Sequence, residues 1–367
     1  MSITSGYLNP AELLDASMVA HLDDDAFAGD PVVVIDLDHL EELTPDEVAG
    51  MRSGHFTFRR IPVGLRTRPL SQMDVGPGQQ LLERMATTLV PQEVWLPPGS
   101  ELPSGPLALQ ASTVPLPDPV AAVERIRRNA AENVTAALAF DTLLRINVTT
   151  RTREALIAES FAHAMLLAGA DYRHWVADRV EQDGHPGPSG VARVERDGPV
   201  VTVRLPGGAG DSGLDDSART ELAHALHELG PGVEELRIEA DGTDFWGVAR
   251  PDAPLTAEGI ATMHLRRMSD NLGAAVYPHR RKMSVQVRGR CLGVGLEFAT
   301  MAHHVTASAD ATFEMPEVRM GLVSGHGGTV ALTRRLGRWR TAYLALSADA
   351  IDAETAYRWD LVDAVVR

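Results

Sequence analysis

One stretch, residues 287–336, constrains the fold of this chain more than any other. VRGRCLGVGLEFATMAHHVTASADATFEMPEVRMGLVSGHGGTVALTRRL holds two glycine-rich turns, each opening an apolar run. Gly293, Val294 and Gly295 follow the strand candidate Met283–Val287 and precede Leu296, Phe298, Ala299 and Met301, a pattern that predicts strand, tight turn and helix start. Gly325-His326-Gly327-Gly328-Thr329 predicts a second turn opening a second helix. A helix start leaves backbone N–H groups without intrahelical partners and carries partial positive charge, so it can hold a developing oxyanion. Glu297 falls in the first turn of the first helix, and Glu317 lies between the two turns. The segment therefore offers two carboxylates beside a candidate oxyanion hole. Each carboxylate also has a plain structural alternative: Glu297 could complement its helix dipole, and Glu317 could pair with Arg319.

The same residues resemble the crotonase (enoyl-CoA hydratase/isomerase) superfamily, whose signature is a G-x-A-x-G-G-G-x-E-L turn followed by P-E-x-x-x-G-x-x-P-G-x-G-G-T. This chain reads Gly289 to Phe298, then Met315-Pro316-Glu317 through Gly321, then Ser324 to Thr329, with the spacing kept throughout. The resemblance implies an α/β fold with a crotonase-like ββα spiral core. It also implies a site in which Val294 N–H is one oxyanion donor and Glu297 and Glu317 are the catalytic acid and base. The first donor of the family lies in a turn matched by Gly247-Val248, which makes Val248 N–H the other candidate. Trp246, Gly293 and His326 are the further candidates for substrate contact. Ser212-Gly213-Leu214 stands where the family has an asparagine-alanine-leucine turn that helps seat the nucleotide of coenzyme A, and Ala249-Arg250-Pro251 replaces an aspartate-leucine-lysine continuation.

Retention of both glutamates makes hydration of an enoyl thioester, or the reverse dehydration, the leading reaction that the resemblance implies. Other enolate chemistry remains open: double-bond isomerisation, thioester hydrolysis, C–C bond making or breaking, and cofactor-free oxygenation. So does a non-catalytic thioester-binding subunit, for which bulky Val248 and Val294 are the motive. The substrate is an acyl thioester of coenzyme A or of a carrier protein, with no separate cofactor and no metal. Relatives of this kind assemble as trimers or hexamers, so a homo-oligomer is expected.

Composition narrows the partners. The chain has 367 residues and a formal net charge of −16, which argues against nucleic acid. No apolar run is long enough for a membrane span, and the first residues lack a signal-peptide pattern, so a cytoplasmic protein with no membrane partner is expected. The single cysteine, Cys291, excludes an internal disulfide framework and a cysteine-rich metal site. Lys282 is the only lysine, so a phosphate-bearing ligand would be held largely by arginines and helix termini. His279-Arg280-Arg281-Lys282 could be a solvated cap, or could hold a pantetheine phosphate or an acidic carrier-protein surface. His303, His304, Trp246 and Trp339 read mainly as structural.

The division expected from the sequence is an N-terminal α/β region (1–118), a helical segment (119–180), a linker (181–190) and a crotonase-like core (191–367). In the first region, Pro31–Leu37 and Ile61–Leu65 predict strands, Thr44-Pro45 a helix start, Gly78–Leu89 a helix, and the proline-rich Pro91–Pro119 a connection. In the second, Leu156, Phe161, Met165 and Leu166 predict the buried stripe of one helix. That segment resembles the helical tail which in crotonases follows the core, here placed before it. Either the order is permuted, or an eroded first copy lends its tail; an unrelated helical domain is the third option. In the core, Val191–Val194, Val200–Leu205, Glu235–Ala240 and Met283–Val287 predict strands and Asp216–Leu229 a helix.

Overall fold

A computed structural model describes residues 7–10, 30–38, 44–50, 60–67, 79–92, 112–183, 192–206, 216–242, 244–245 and 256–366. The chain forms two compact units, one from 1–142 with 337–347 and the other from 143–336 with 348–367. Residues 337–347, inside the segment that the sequence assigns to the core, thus belong to the first unit.

The first unit is built on a parallel sheet of β1 (Tyr7–Leu8), β2 (Val32–Asp36), β3 (Ile61–Leu65), β4 (Thr87–Pro91) and β5 (Val114–Leu116), paired in that order. Its strands are near-continuous buried runs such as Val32-Val33-Val34-Ile35, the pattern of a sheet covered on both faces. Two short helices, α1 (Pro45–Gly50) and α2 (Gln79–Leu82), connect strands. At α1 the Thr44 hydroxyl accepts from Glu47 N–H while the Glu47 carboxylate accepts from Thr44 N–H at 2.7 Å, a capping box. Helix α3 (Pro119–Glu132) buries Ala122, Val123, Ile126 and Ala130, and Asn129 Nδ2 donates to the carbonyls of Leu346 and Ser347.

Two expectations are corrected here. The helix expected over Gly78–Leu89 ends at Leu82, and Thr87-Thr88-Leu89-Val90 forms β4, because its threonines and valine favour a pleated, buried strand over a helix. The end of the proline-rich connection is strand β5, which pairs in parallel with β4; residues 93–111 lie outside the described residues.

The second unit is a mixed α/β layer structure. It contains the end of α4 (Val134–Thr149), then α5 (Thr152–Leu167) and α6 (Ala170–Asp183). α6 takes in the first residues of the expected linker, and 184–190 lie outside the described residues. Next come β6 (Arg193–Asp197), β7 (Val200–Leu205), α7 (Asp216–His227), β8 (Glu235–Ala240), α8 (Ala257–Ser269), α9 (Leu272–Val276) and β9 (Met283–Val287). They are followed by β10 (Arg290–Leu292), α10 (Val294–Met301), β11 (His304–Ser308), β12 (Thr312–Glu314) and α11 (Gly328–Leu336). Helix α12 (Arg338–Ser347) belongs to the first unit, and β13 (Ile351–Asp352), α13 (Ala353–Arg358) and β14 (Ala364–Val366) finish the second. A six-stranded sheet runs β14-β11-β9-β8-β7-β6, parallel except for the β6–β7 hairpin, and a smaller sheet runs β10-β12-β13. Among the described residues no helix is long and apolar enough to cross a membrane.

Helix α5 departs from its expected stripe. Phe161 and Met165 are exposed, at 59% and 53%, while Glu159 and Ser160 are buried. Phe161 stacks on His264 at 4.4 Å between ring centroids. A helix that turns a carboxylate inward and a phenyl outward is serving a polar interior, and that interior is the candidate site.

Candidate active site

The smaller sheet positions the site. β10 and β12 pair in parallel with Leu292 opposite Glu314, so the next residues on both strands leave the sheet side by side. After β10, Gly293 adopts φ 54°, ψ −126°, a conformation that side-chain-bearing residues rarely take, and α10 begins at Val294. The turn follows β10 rather than the longer strand Met283–Val287 expected to precede it. No side chain caps α10, whose first N–H groups, that of Val294 included, have no intrahelical partner. After β12, Met315-Pro316-Glu317 leads into a single 3₁₀ turn, Val318–Met320, which ends at Gly321 with φ 74°.

Glu297 and Glu317 are 3% and 6% exposed and line one cavity of about 50 Å³ with Gly293, Val294, Ser324 and His326. The structural alternative for Glu317 does not hold, because Arg319 pairs with Glu314 at 3.1 Å. Glu317 instead keeps an Oε2 with no hydrogen-bond partner among the described residues, as do Ser324 Oγ and His326 Nδ1. Glu297 has a more committed position. Its Oε2 accepts from the N–H groups of His326 at 2.9 Å and Gly328 at 3.1 Å, at the start of α11. Gly328 must be glycine, since a Cβ there would lie 2.6 Å from Glu297 Cγ.

Burial sets the protonation of these groups. It pushes Glu297 well above the usual carboxylate range, helped by the neighbouring charges of Glu159 and Glu317. It pushes Glu317 up to about 7. A carboxyl group raised in the folded state holds its proton between its unfolded pKa, about 4.3, and about 7, where the unfolded chain has already lost it. The stability it contributes is therefore present below the unfolded value and is lost as pH rises through about 7. Thermal melts from pH 4.5 to 8 are expected to show that decline, and the decline should flatten in Glu317→Gln; an unchanged slope would remove Glu317 as its source.

Three residues that the sequence reading did not single out complete the surroundings. Glu159, on α5, is fully buried; its Oε1 accepts from Gly327 N–H at 2.6 Å, and its Oε2 accepts from Thr329 N–H at 2.9 Å and from the Thr329 hydroxyl. The start of α11 is thus satisfied by two carboxylates, one from α10 and one from α5. His163, one turn beyond Glu159, shares a hydrogen bond with Val323 O at 2.7 Å through Nδ1, and burial followed by the charge of Arg267 lowers it to about 3. Arg267, on α8, lines the same cavity. Glu159 and His163, four residues apart in the largely apolar run 155–167, were the available signal: two inward polar groups on one face.

His326 is half-buried, and burial followed by Arg219 and Arg267 lowers it well below its ordinary value. Val248 and Trp246, expected as an oxyanion donor and a substrate contact, lie outside the described residues, as do Ser212-Gly213-Leu214. A larger cleft of about 430 Å³ is lined by Arg280, Arg281, Arg334 and Arg335. Among the described residues that line it there is no carboxylate. Among the described residues no group of three histidine, cysteine, aspartate or glutamate side chains could hold a metal ion.

The family model for enoyl-CoA hydratase/isomerase matches residues 264–367. A protein of Mycobacterium bovis named "Probable enoyl-CoA hydratase echA8" is 30% identical over 177 residues, covering 47% of this chain and 67% of that protein. This chain belongs to the enoyl-CoA hydratase/isomerase (crotonase) superfamily. Another relative in the superfamily, the mevalonyl-coenzyme A hydratase sidH of Aspergillus fumigatus, is 38% identical over 112 residues, 30% of this chain. The chain spans only 37% of that relative's length. A solved enoyl-CoA hydratase of Mycobacterium smegmatis superposes with a TM-score of 0.43 at 22% identity, over 48% of this chain and 70% of that one.

Proposed function

We propose that this crotonase-superfamily chain hydrates an enoyl thioester, or dehydrates its 3-hydroxy counterpart. The observation that carries the reading is the pairing of an uncapped helix start at Val294 with two buried glutamates, Glu297 and Glu317, on one cavity. The names of the two sequence relatives above, both hydratases, support the same reaction class.

In this reading the thioester carbonyl oxygen sits on the N–H groups of Val294 and Val248, which stabilise the enolate as it forms; one such donor is worth about a hundred- to a thousandfold in rate. Glu317, poised near 7, takes a proton from water while the oxygen adds to Cβ. Glu297, held in its protonated form by burial, delivers a proton to Cα. One O–H bond of water is broken, and hydroxyl and hydrogen are added across the double bond. Gly293 and His326 line the substrate side of the cavity, and Trp246 is the proposed contact from the Val248 turn. The handle is coenzyme A or a carrier protein, with no further cofactor, and the assembly is a homo-oligomer.

A second reading, double-bond isomerisation with Glu317 as the one base, draws on the two backbone N–H groups that occupy Glu297 Oε2. The structure of α5 and α6 also supports a displaced tail, since Glu159 and His163 hold the loop 323–329 as an element covering the site would. The test is incubation with saturated, α,β-unsaturated and 3-hydroxy acyl thioesters in deuterium oxide, read by mass spectrometry. Hydration is expected to add the mass of one heavy water and to exchange Cα; isomerisation leaves the mass of the substrate apart from exchange. No exchange with any thioester would sink the enolate reading.

A further inference from the structure

Arg267 has no assigned role in the reaction above, and its setting is unusual. It is 7% exposed and lines the cavity that holds Glu297 and Glu317. Its Nε donates to Ser160 Oγ at 3.3 Å, and its Nη2 has no hydrogen-bond partner among the described residues. The carboxylate whose charge favours its protonated form is Glu159. Both Glu159 oxygens, however, are taken by Gly327 N–H, Thr329 N–H and the Thr329 hydroxyl. No carboxylate among the described residues pairs with Arg267 within ion-pair distance. A guanidinium so buried, with the charge of Glu159 in reach but no direct ion pair among the described residues, is costly, and burial lowers it only to about 10, so it stays charged at neutral pH.

The positive charge has company. Arg219, 5% exposed, lines the same cavity, and the fields of both arginines disfavour protonation of His163 and His326 there. Burial holds Glu297 in its protonated form in this cavity, and the Arg267 Nη2 is a buried donor there that remains open to an anion among the described residues. The room available, about 50 Å³, suits a compact planar anion and does not suit an extended alkyl chain.

We infer that the acyl group this chain accepts is short and ends in a second carboxylate, which the Arg267 guanidinium binds. The inference rests on the thioester reading above and deepens it by naming the substrate class. Arg267 matches a carboxylate through its planar fork, and a neutral methyl terminus would leave the guanidinium buried and unpaired. Arg267 therefore selects the substrate and takes no part in proton transfer.

The test compares 2-pentenedioyl-CoA with 2-pentenoyl-CoA, and the six-carbon pair of the same design, in kcat/KM. The wild-type chain is expected to favour the carboxylate-ended member by about tenfold or more. Arg267→Met is expected to cut that ratio by about a hundredfold, mostly through the charged substrate, with Arg267→Lys retaining part of it. A structural role would lower both substrates together and leave the ratio unchanged, which would overturn the proposal. So would a wild-type chain indifferent to the terminus, a result that needs no variant to fold. Calorimetric binding of the saturated pentanedioyl-CoA and pentanoyl-CoA separates the two readings. Arg267-dependent preference for the charged ligand without turnover of any thioester would refute hydration and keep this inference. Turnover without charge discrimination would do the reverse, and binding of neither ligand would overturn it.

Discussion

Glu317→Gln is expected to lower kcat for an α,β-unsaturated acyl thioester by about a thousandfold, with KM changed by no more than about threefold. The amide fills the same volume among Gly293, Val294 and Ser324, so the cavity keeps its shape. What it loses is the ability to take a proton, and Glu317 is the one of the two site carboxylates whose free oxygen and pKa of about 7 suit a base at neutral pH. Glu297→Gln is the informative partner. An amide oxygen can still accept from His326 and Gly328 N–H, so the start of α11 remains satisfied. Under hydration the Glu297 variant falls as far as the Glu317 variant, because Cα loses its proton donor. Under isomerisation with a single base it retains most of its turnover. Steady-state kinetics with calorimetric binding of a saturated analogue checks both; a Glu317→Gln enzyme keeping more than about a tenth of wild-type kcat would remove Glu317 as the base.

The largest loss of stability is expected at Glu159, far from it in sequence. Glu159→Ala leaves Gly327 N–H, Thr329 N–H and the Thr329 hydroxyl without the acceptor they share, at the buried start of α11. Each orphaned donor costs about 1–3 kcal/mol, so a total of about 3–5 kcal/mol is expected once some repacking is allowed for. In a unit of this size that is a fall in Tm of roughly 10 °C, measurable by calorimetry. Glu159→Gln should lose about half as much, since one amide oxygen can still accept. The converse outcome, a melting point unchanged in Glu159→Ala, would mean that water replaces the carboxylate and that α5 is not needed to hold α11. Because Gly327 and Thr329 alternate along the chain with His326 and Gly328, whose N–H groups bind Glu297, turnover should fall in step with stability.

The strands Ile61–Leu65, Val200–Leu205, Glu235–Ala240 and Met283–Val287 are legible in the sequence because each is an apolar or alternating run bounded by turn residues. The segment 79–91 is not legible in the same way. Leu81, Leu82 and Met85 have helical spacing, and only the long-range pairing of β4 with β3 and β5 makes a strand of the threonines that follow. Glu297, Glu317 and Gly293 could be found because the turn and both carboxylates lie in one contiguous stretch whose backbone geometry the glycines announce. Glu159, His163 and Arg267 could not be found that way. They reach the cavity from α5 and α8, and a rule that places apolar residues inward assigns Phe161 and Met165 to the core, when the interior they flank is polar.

The helix Arg338–Ser347 carries a consequence for how the polypeptide is made. Arg338 donates to the carbonyls of Met85 and Glu83, Trp339 Nε1 to that of Leu82, and Leu346 and Ser347 accept from Asn129, all within the first unit. The parallel sheet is encoded before residue 117, yet the helix that finishes its surroundings is translated more than two hundred residues later. Until the ribosome has passed Ser347, the parts of α3, β4 and β5 that this helix packs on wait uncovered. Synthesis therefore joins two folding events that compactness alone would keep apart, and the contact order of the first unit is set by the length of the second. A fragment ending at Thr142 would lack part of its own interior, so in this chain the N-terminal sheet is completed only after the residues of the candidate site have been synthesised.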